Sequence, residues 1–183
     1  MLPIASLQCT ECALVKMADL LDAIFLPSLE CLNQNDQHPL ANALKQGYRE
    51  DKNLYLESDT DEQLLIHIPF NSAVKLNGIT LSNANKPAQG PRKVKLFINR
   101  HTIGFSQASD EAAAHEVELS AADLASDKPI PLKLVKFQGV NWLTIFVESN
   151  QEDEETTVIE KIVVQGIAGD SFDVGSIKDV SKE

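Results

Sequence analysis

Apolar and polar positions alternate through most of the chain after residue 62. Between 63 and 70, Leu64, Ile66, Ile68 and Phe70 fall on one face, the period-2 pattern of a half-buried strand. Residues 92–99 repeat it with Val94, Leu96 and Ile98 inward. Further strands are expected over 130–137, 142–148 and 157–165. In 142–148, Leu143, Ile145 and Val147 share one face while Trp142 and Phe146 share the other. A strand apolar on both sides is expected to be central and covered twice. Ahead of the strands, Leu20, Leu21, Ile24 and Phe25 have helical spacing, so 18–26 reads as one short amphipathic helix ended by Pro27. Residues 28–60 are polar and loop-like, with a turn of helix around 40–44. Ser120 followed by Asp123 is a capping-box start for a helical turn over 120–124.

Residues 74–81 admit two readings. Asn77-Gly78 is a strong hairpin signal, and a two-residue turn would pair Leu76 with Ile79 and Val74 with Leu81. The rival is one long strand with a bulge at Gly78, which puts the same four residues on one face. The residues alone favour the hairpin slightly. The sum is an all-β chain, an antiparallel β-sandwich or jelly roll with a short N-terminal helix. Residues 1–16 are expected to be a flexible extension, 17–175 the domain, and 176–183 a tail.

Composition narrows the function classes. A chain of 183 residues with 43% hydrophobic and 23% charged residues can form one self-sufficient core. Sixteen Lys and Arg against 27 Asp and Glu leave a net charge of −11, which repels phosphate backbones and anionic lipid. Neither nucleic acid nor membrane is an expected partner. Three cysteines, no Asn-x-Ser/Thr sequon and no early basic residue point to a reducing compartment, cytoplasmic and nuclear, without a signal peptide.

Candidate chemistry is sparse. Cys9 and Cys12 form a CxxC, but too few residues precede it for a redox scaffold, and Cys31 and His38 do not complete a standard zinc spacing. His115-Glu116 begins a zinc-protease motif, but Leu119 stands where the second histidine is required, and the segment reads as strand. His67 lies opposite the apolar face of its strand and reads as a surface or packing residue. No nucleotide-binding loop or nucleophile elbow occurs, so neither cofactor, metal nor catalytic residue is expected. Two charged groups remain as partner-binding candidates: Glu57, Asp59, Asp61 and Glu62 before the first strong strand, and a basic patch of Arg92, Lys93, Lys95 and Arg100. Both suit docking, although charge runs of this kind are commonly just solvated. The run 152–155 reads as a solvated loop.

Several ordered blocks resemble one family. Glu30-Cys31-Leu32-Asn33, Leu44-Lys45-Gln46-Gly47-Tyr48, Leu56-Glu57-Ser58-Asp59 and residues 61–66 look like the PITH domain, as do residues 90–99. The strongest block runs Leu134-Val135-Lys136-Phe137-Gln138-Gly139-Val140-Asn141 and on through Leu143 to Gln151. The resemblance spans roughly residues 17–175 and is closer to the stand-alone type than to the type fused to thioredoxin. It implies a galactose-binding-like jelly roll in which 74–81 is one bulged strand. It also implies a non-catalytic module that binds regulatory-particle subunits of the proteasome. A carbohydrate- or small-ligand-binding module is the alternative that such a fold would allow. Residues 1–16, with the CxxC, fall outside the family pattern as read from these blocks.

Overall fold

The computed structural model describes residues 18–44, 51 and 53–168. The expected extension over 1–16, with Cys9 and Cys12, and the tail over 176–183 lie outside the described residues. In chain order the elements are β1 (Ala18–Asp19), β2 (Glu30–Leu32), α1 (Leu40–Leu44), β3 (Leu56–Glu57), β4 (Leu64–Ser82), β5 (Pro91–Ile98), α2 (Phe105–Asp110), β6 (His115–Glu118), α3 (Ala121–Ala125), β7 (Ile130–Pro131), β8 (Val140–Asn150), β9 (Val158–Ile159) and β10 (Lys161–Ala168). The strands pair antiparallel throughout.

β4 organises the sandwich. Its first half pairs with β2 and β8, and β8 carries on to β5 and β6. Its second half pairs with β10 and β7, and β10 carries on to β1. The change of partners falls between Pro69 and Val74, where the register with β8 shifts. A proline lacks the N–H that an interior ladder needs, so it belongs at such a break. Leu64, Ile66 and Ile68 from the first half and Val74, Leu76, Ile79 and Leu81 from the second converge on one core with Leu143, Ile145, Val147, Ile162 and Val164. A second cluster, Leu65, Phe97, Ile103, Ala108 and Phe146, fills the other side of β4, β5 and β8 beneath α2. β8 is therefore covered on both faces, as its two apolar stripes require.

Three local expectations give way to tertiary hydrogen bonds. Residues 74–81 form no hairpin; they continue β4, with Gly78 opposite Gln165 and Leu76 opposite Gly166, so Asn77 is the extra residue. The bulge sits one position before Gly78, and it rephases Val74, Leu76, Ile79 and Leu81 onto the buried face. The short N-terminal helix is replaced by β1 and two 3₁₀ turns at Leu21–Ala23 and Leu26–Ser28. Leu20 N–H donates to Val164 O at 2.8 Å and Phe25 N–H to Pro69 O at 2.9 Å, so these amides are taken out of any helical ladder. Leu20 and Ile24, the i and i+4 pair, still anchor the segment in the core, and Pro27 opens the second turn instead of ending a helix. Finally, only Ile130–Pro131 of the expected strand over 130–137 pairs with β4. Pro131 cannot donate, and beyond Leu132 the chain turns.

Other local expectations hold. The turn of helix at Leu40–Leu44 forms. Ser120 Oγ accepts from Asp123 N–H at 3.2 Å while Asp123 Oδ2 accepts from Ser120 N–H at 3.0 Å, the reciprocal capping box that starts α3. His115–Glu118 is strand β6. The strand expected over 157–165 is split at Glu160 into β9, which pairs with β3, and β10.

Candidate interaction surface

The acidic rim is a hydrogen-bonded loop. Asn33, in the left-handed region at φ 65°, aims its side chain across the loop. Its Nδ2 donates to Asp61 Oδ1 at 2.8 Å and to Gln63 O at 2.7 Å, and its Oδ1 accepts from Thr60 N–H at 3.0 Å. Glu57 Oε1 accepts from Thr156 Oγ1 at 3.1 Å, and Glu62 O accepts from Thr157 Oγ1 at 2.6 Å. Asp59 is exposed, and its N–H donates to Asn33 O at 2.9 Å. The cluster thus clasps residues 57–63 to the segment after β8. Among the described residues no three His, Cys, Asp or Glu side chains are placed to hold a metal ion.

The basic candidates do not form a basic patch. Arg92 Nε meets Glu118 Oε1 at 2.9 Å, Lys95 Nζ lies 3.5 Å from Glu148 Oε2, and Arg100 pairs with Glu111. Lys95 also donates to Ser109 O at 2.8 Å. A groove of about 310 Å³ runs over this face, where Lys93 and Lys95 stand against Glu116, Glu118 and Glu148. Two ammonium groups against three carboxylates leave no positive field for an acidic partner. Cross-strand pairing of β5 with β6, Lys93 opposite Glu118 and Lys95 opposite Glu116, brings these neutralising carboxylates in from a distant stretch of chain.

A nucleophile and base do meet, but out of reach. Thr144 Oγ1 and His67 Nδ1 share a hydrogen bond of 2.9 Å, and Glu30 lies opposite His67 in the ladder of β2 and β4. The residue types are those of a hydroxyl nucleophile, a base and an orienting carboxylate. Thr144 is fully buried, so no substrate carbonyl reaches its oxygen, and the pair ties β4 to β8. His67 is therefore a packing histidine. Its burial, opposed by the charge of Glu30, holds the imidazole below its ordinary 6.5. The unfolded chain takes up a proton there that the native state refuses. Stability is thus complete above about pH 6.5 and declines as pH falls below it. His115 adds in the same direction, through burial and then Lys133 and Lys136. A His67→Gln variant is expected to show a shallower loss of denaturation midpoint between about pH 7.5 and about pH 5.5 than the parent. Equal slopes in urea titrations would count against it.

Cys31 is a free, buried thiol on β2, and burial followed by the charge of Glu30 pushes its pKa up to about 12. In the folded chain iodoacetamide at about pH 8 is expected to leave Cys31 unmodified, and to label it after denaturation; peptide mass spectrometry reads both states.

One exposed surface lies where the alternation of residues suggests a strand. Leu134 and Val135, expected inside a strand, stand on a turn with 43% and 87% exposure. Lys133 and Lys136 flank them and are also exposed. The turn is pinned from below by Phe137, which is fully buried. Phe137 N–H lies 3.3 Å from Lys133 O and 3.2 Å from Leu134 O, and its carbonyl accepts from Leu76 N–H at 2.9 Å. Pro129, Pro131 and Gly139, which has φ 65°, bracket the segment and were the available sign of a turn. Trp142 stands on the central strand, as expected. It lies at the start of β8, partly exposed, with its ring 4.8 Å from that of His101, and its buried Nε1 has no hydrogen-bond partner among the described residues.

Two layers joined through one long strand, with loops gathered at the layer ends, define a β-sandwich of the galactose-binding-like class. CBM32-3 from a family 31 glycoside hydrolase of Clostridium perfringens superposes with a TM-score of 0.59 at 15% identity, covering 82% of this chain and 94% of that one. The family 32 CBM from C. perfringens NanJ, in complex with galactose, gives 0.58 at 12% identity, with 81% and 98% covered. Identities this low establish the fold alone. The chain belongs to the PITH domain family, whose pattern matches residues 13–182. That span reaches beyond the expected 17–175 at both ends. Thioredoxin-like protein 1 of Schizosaccharomyces pombe is 39% identical over 153 residues, 81% of this chain and 51% of the relative. A PITH domain-containing protein of Drosophila melanogaster is 34% identical over 136 residues, and PITH domain-containing protein 1 of Danio rerio is 32% identical over 136, each covering 74% of this chain and 63% of the relative. The chain thus spans between about half and two thirds of the length of these relatives.

Proposed function

We propose that this chain is a non-catalytic protein-interaction module that associates with the regulatory particle of the 26S proteasome, in cytoplasm and nucleus. The observation that carries this reading is the match to the PITH family over residues 13–182, a family named for its proteasome interaction. The geometry is in keeping with it. A two-layer frame presents its loops at the surface, and the buried Thr144 and His67 pair is sealed from substrate. Affinity capture from lysate at modest salt, followed by crosslinking mass spectrometry, is expected to recover regulatory-particle subunits with defined contact residues. Absence of proteasome peptides at low ionic strength overturns it.

A second reading, a carbohydrate- or small-ligand-binding module, is favoured by one observation: an indole N–H without a partner beside the ring of His101, at the end of a strand in a fold shared with a galactose complex. Trp142 is the single tryptophan of the chain, so its fluorescence reports directly on this site. A saturable shift on titration with galactose supports the second reading. An unmoved spectrum retires it for that sugar.

A further inference from the structure

We infer that the turn carrying Lys133, Leu134, Val135 and Lys136 is the docking face of this module, and that its occupant is an acidic protein segment bearing at least one apolar side chain. This inference rests on the proteasome reading above and deepens it: the segment belongs to a regulatory-particle subunit.

Three observations converge on the turn. Val135, at 87%, is the most exposed of the four large hydrophobic side chains that stand open among the described residues. Neighbouring Leu134 is 43% exposed, so two apolar side chains face solvent side by side. The turn is also held in one shape. Lys136 N–H donates to Lys133 O at 2.9 Å, Leu132 N–H to Asn77 O at 3.0 Å, and buried Phe137 is tied to Leu76. A tip fixed in this way loses little conformational freedom when a partner arrives.

Charge identifies the occupant. Arg92, Lys95, Arg100 and Lys161 each have a carboxylate within ion-pair distance. Lys133 and Lys136 have none among the described residues, as is also true of Lys75, Lys93 and Lys128, and both charges act on His115, itself a base. On a chain of net charge −11, two cations without an ion-pair partner among the described residues thus flank the exposed apolar pair. An acidic segment with an apolar residue complements both features at once. An anionic bilayer does not fit as well. It would meet the acidic body as a broad plane, whereas a narrow peptide lies within a Debye length of about 8 Å of the two lysines.

The test uses the full chain and purified 26S proteasome, with binding read by biolayer interferometry. Val135→Ser and the pair Lys133→Glu with Lys136→Glu are each expected to weaken binding about tenfold or more. The lysine pair should also flatten the dependence on salt. All of these side chains are exposed, and the bonds that shape the turn come from the backbone, so thermal melting should be unchanged and folding loss is excluded directly. Wild-type binding that neither variant disturbs removes this inference and leaves the proteasome reading standing. Failure of the wild-type chain to bind removes that reading and this inference with it. Cosedimentation of the chain with vesicles of phosphatidylcholine and phosphatidylserine, abolished by Val135→Ser, would assign the tip to a membrane and overturn the inference.

Discussion

Replacing Gly166 by alanine is expected to destabilise the domain by about 3 kcal/mol. A Cβ at this position would stand 2.1 Å from Lys75 O and 3.0 Å from both Lys75 C and Leu20 Cδ1. The first two are backbone atoms in the facing strand and cannot swing aside. The crowding follows from the bulge: Asn77 is left over between the pairs Gly78 with Gln165 and Leu76 with Gly166, and β4 is pressed against β10 where the register slips. Relief requires β10 to move away from β4, which also loosens Leu20 and β1. Gly104 is the control. Nothing lies within 4 Å of its added Cβ, so Gly104→Ala should stay within about 0.5 kcal/mol of the parent. Urea unfolding of the two variants checks the contrast, and a Gly166→Ala midpoint equal to that of Gly104→Ala contradicts it.

Phe137→Ala should cost about 3–5 kcal/mol, the usual range for emptying a buried aromatic site. Phe137 is fully buried within the main core, and its backbone is bonded both to the turn above it and to Leu76 in β4. The expected result therefore has a local signature as well as a global one. Hydrogen exchange at the amides of Leu76, Lys136 and Phe137 should accelerate more than exchange in the β5 and β8 pairing. Phe137→Leu, which keeps most of the apolar filling, should lose much less stability. Uniform acceleration across all strands would mean that the turn has no separate dependence on Phe137.

The strands at the centre of the sandwich were legible because their chemistry is local. In Leu64, Ile66 and Ile68, and again in Leu143, Ile145 and Val147, the period of burial equals the period of side-chain alternation, so pattern and structure coincide. The capping box of Ser120 and Asp123 was legible for the same reason, since both partners lie within one turn. The helix over 18–26 was not, because the amides of Leu20 and Phe25 are claimed by Val164 and Pro69 from strands far along the chain. A short isolated helix has little stability of its own to oppose that claim. Asn77-Gly78 shows the same limit: the dipeptide tolerates a hairpin, yet β10 offers a ladder across its whole length. Here the family resemblance pointed to the bulged strand where the local signal did not.

The candidate surface divides in the same manner. Glu57, at the end of β3, and Asp59, Asp61 and Glu62 in the loop after it are close in sequence, but the proximity of this stretch to Asn33 and to Thr156 and Thr157 had no sequence signal. Arg92, Lys95 and Arg100 read as a cluster only because their neutralising partners, Glu118, Glu148 and Glu111, lie 11 to 53 positions away in the chain.

By itself, the sequence determined the class of the fold, most of its strands and the family, since alternation, capping and ordered motif blocks are properties of neighbouring residues. Only the tertiary structure decided which charges are neutralised, which hydroxyl is sealed beside a histidine and which apolar side chains are left open. Those outcomes depend on Coulomb and packing contacts between strands remote in sequence, whose strength is set by distance in space and not by spacing along the chain.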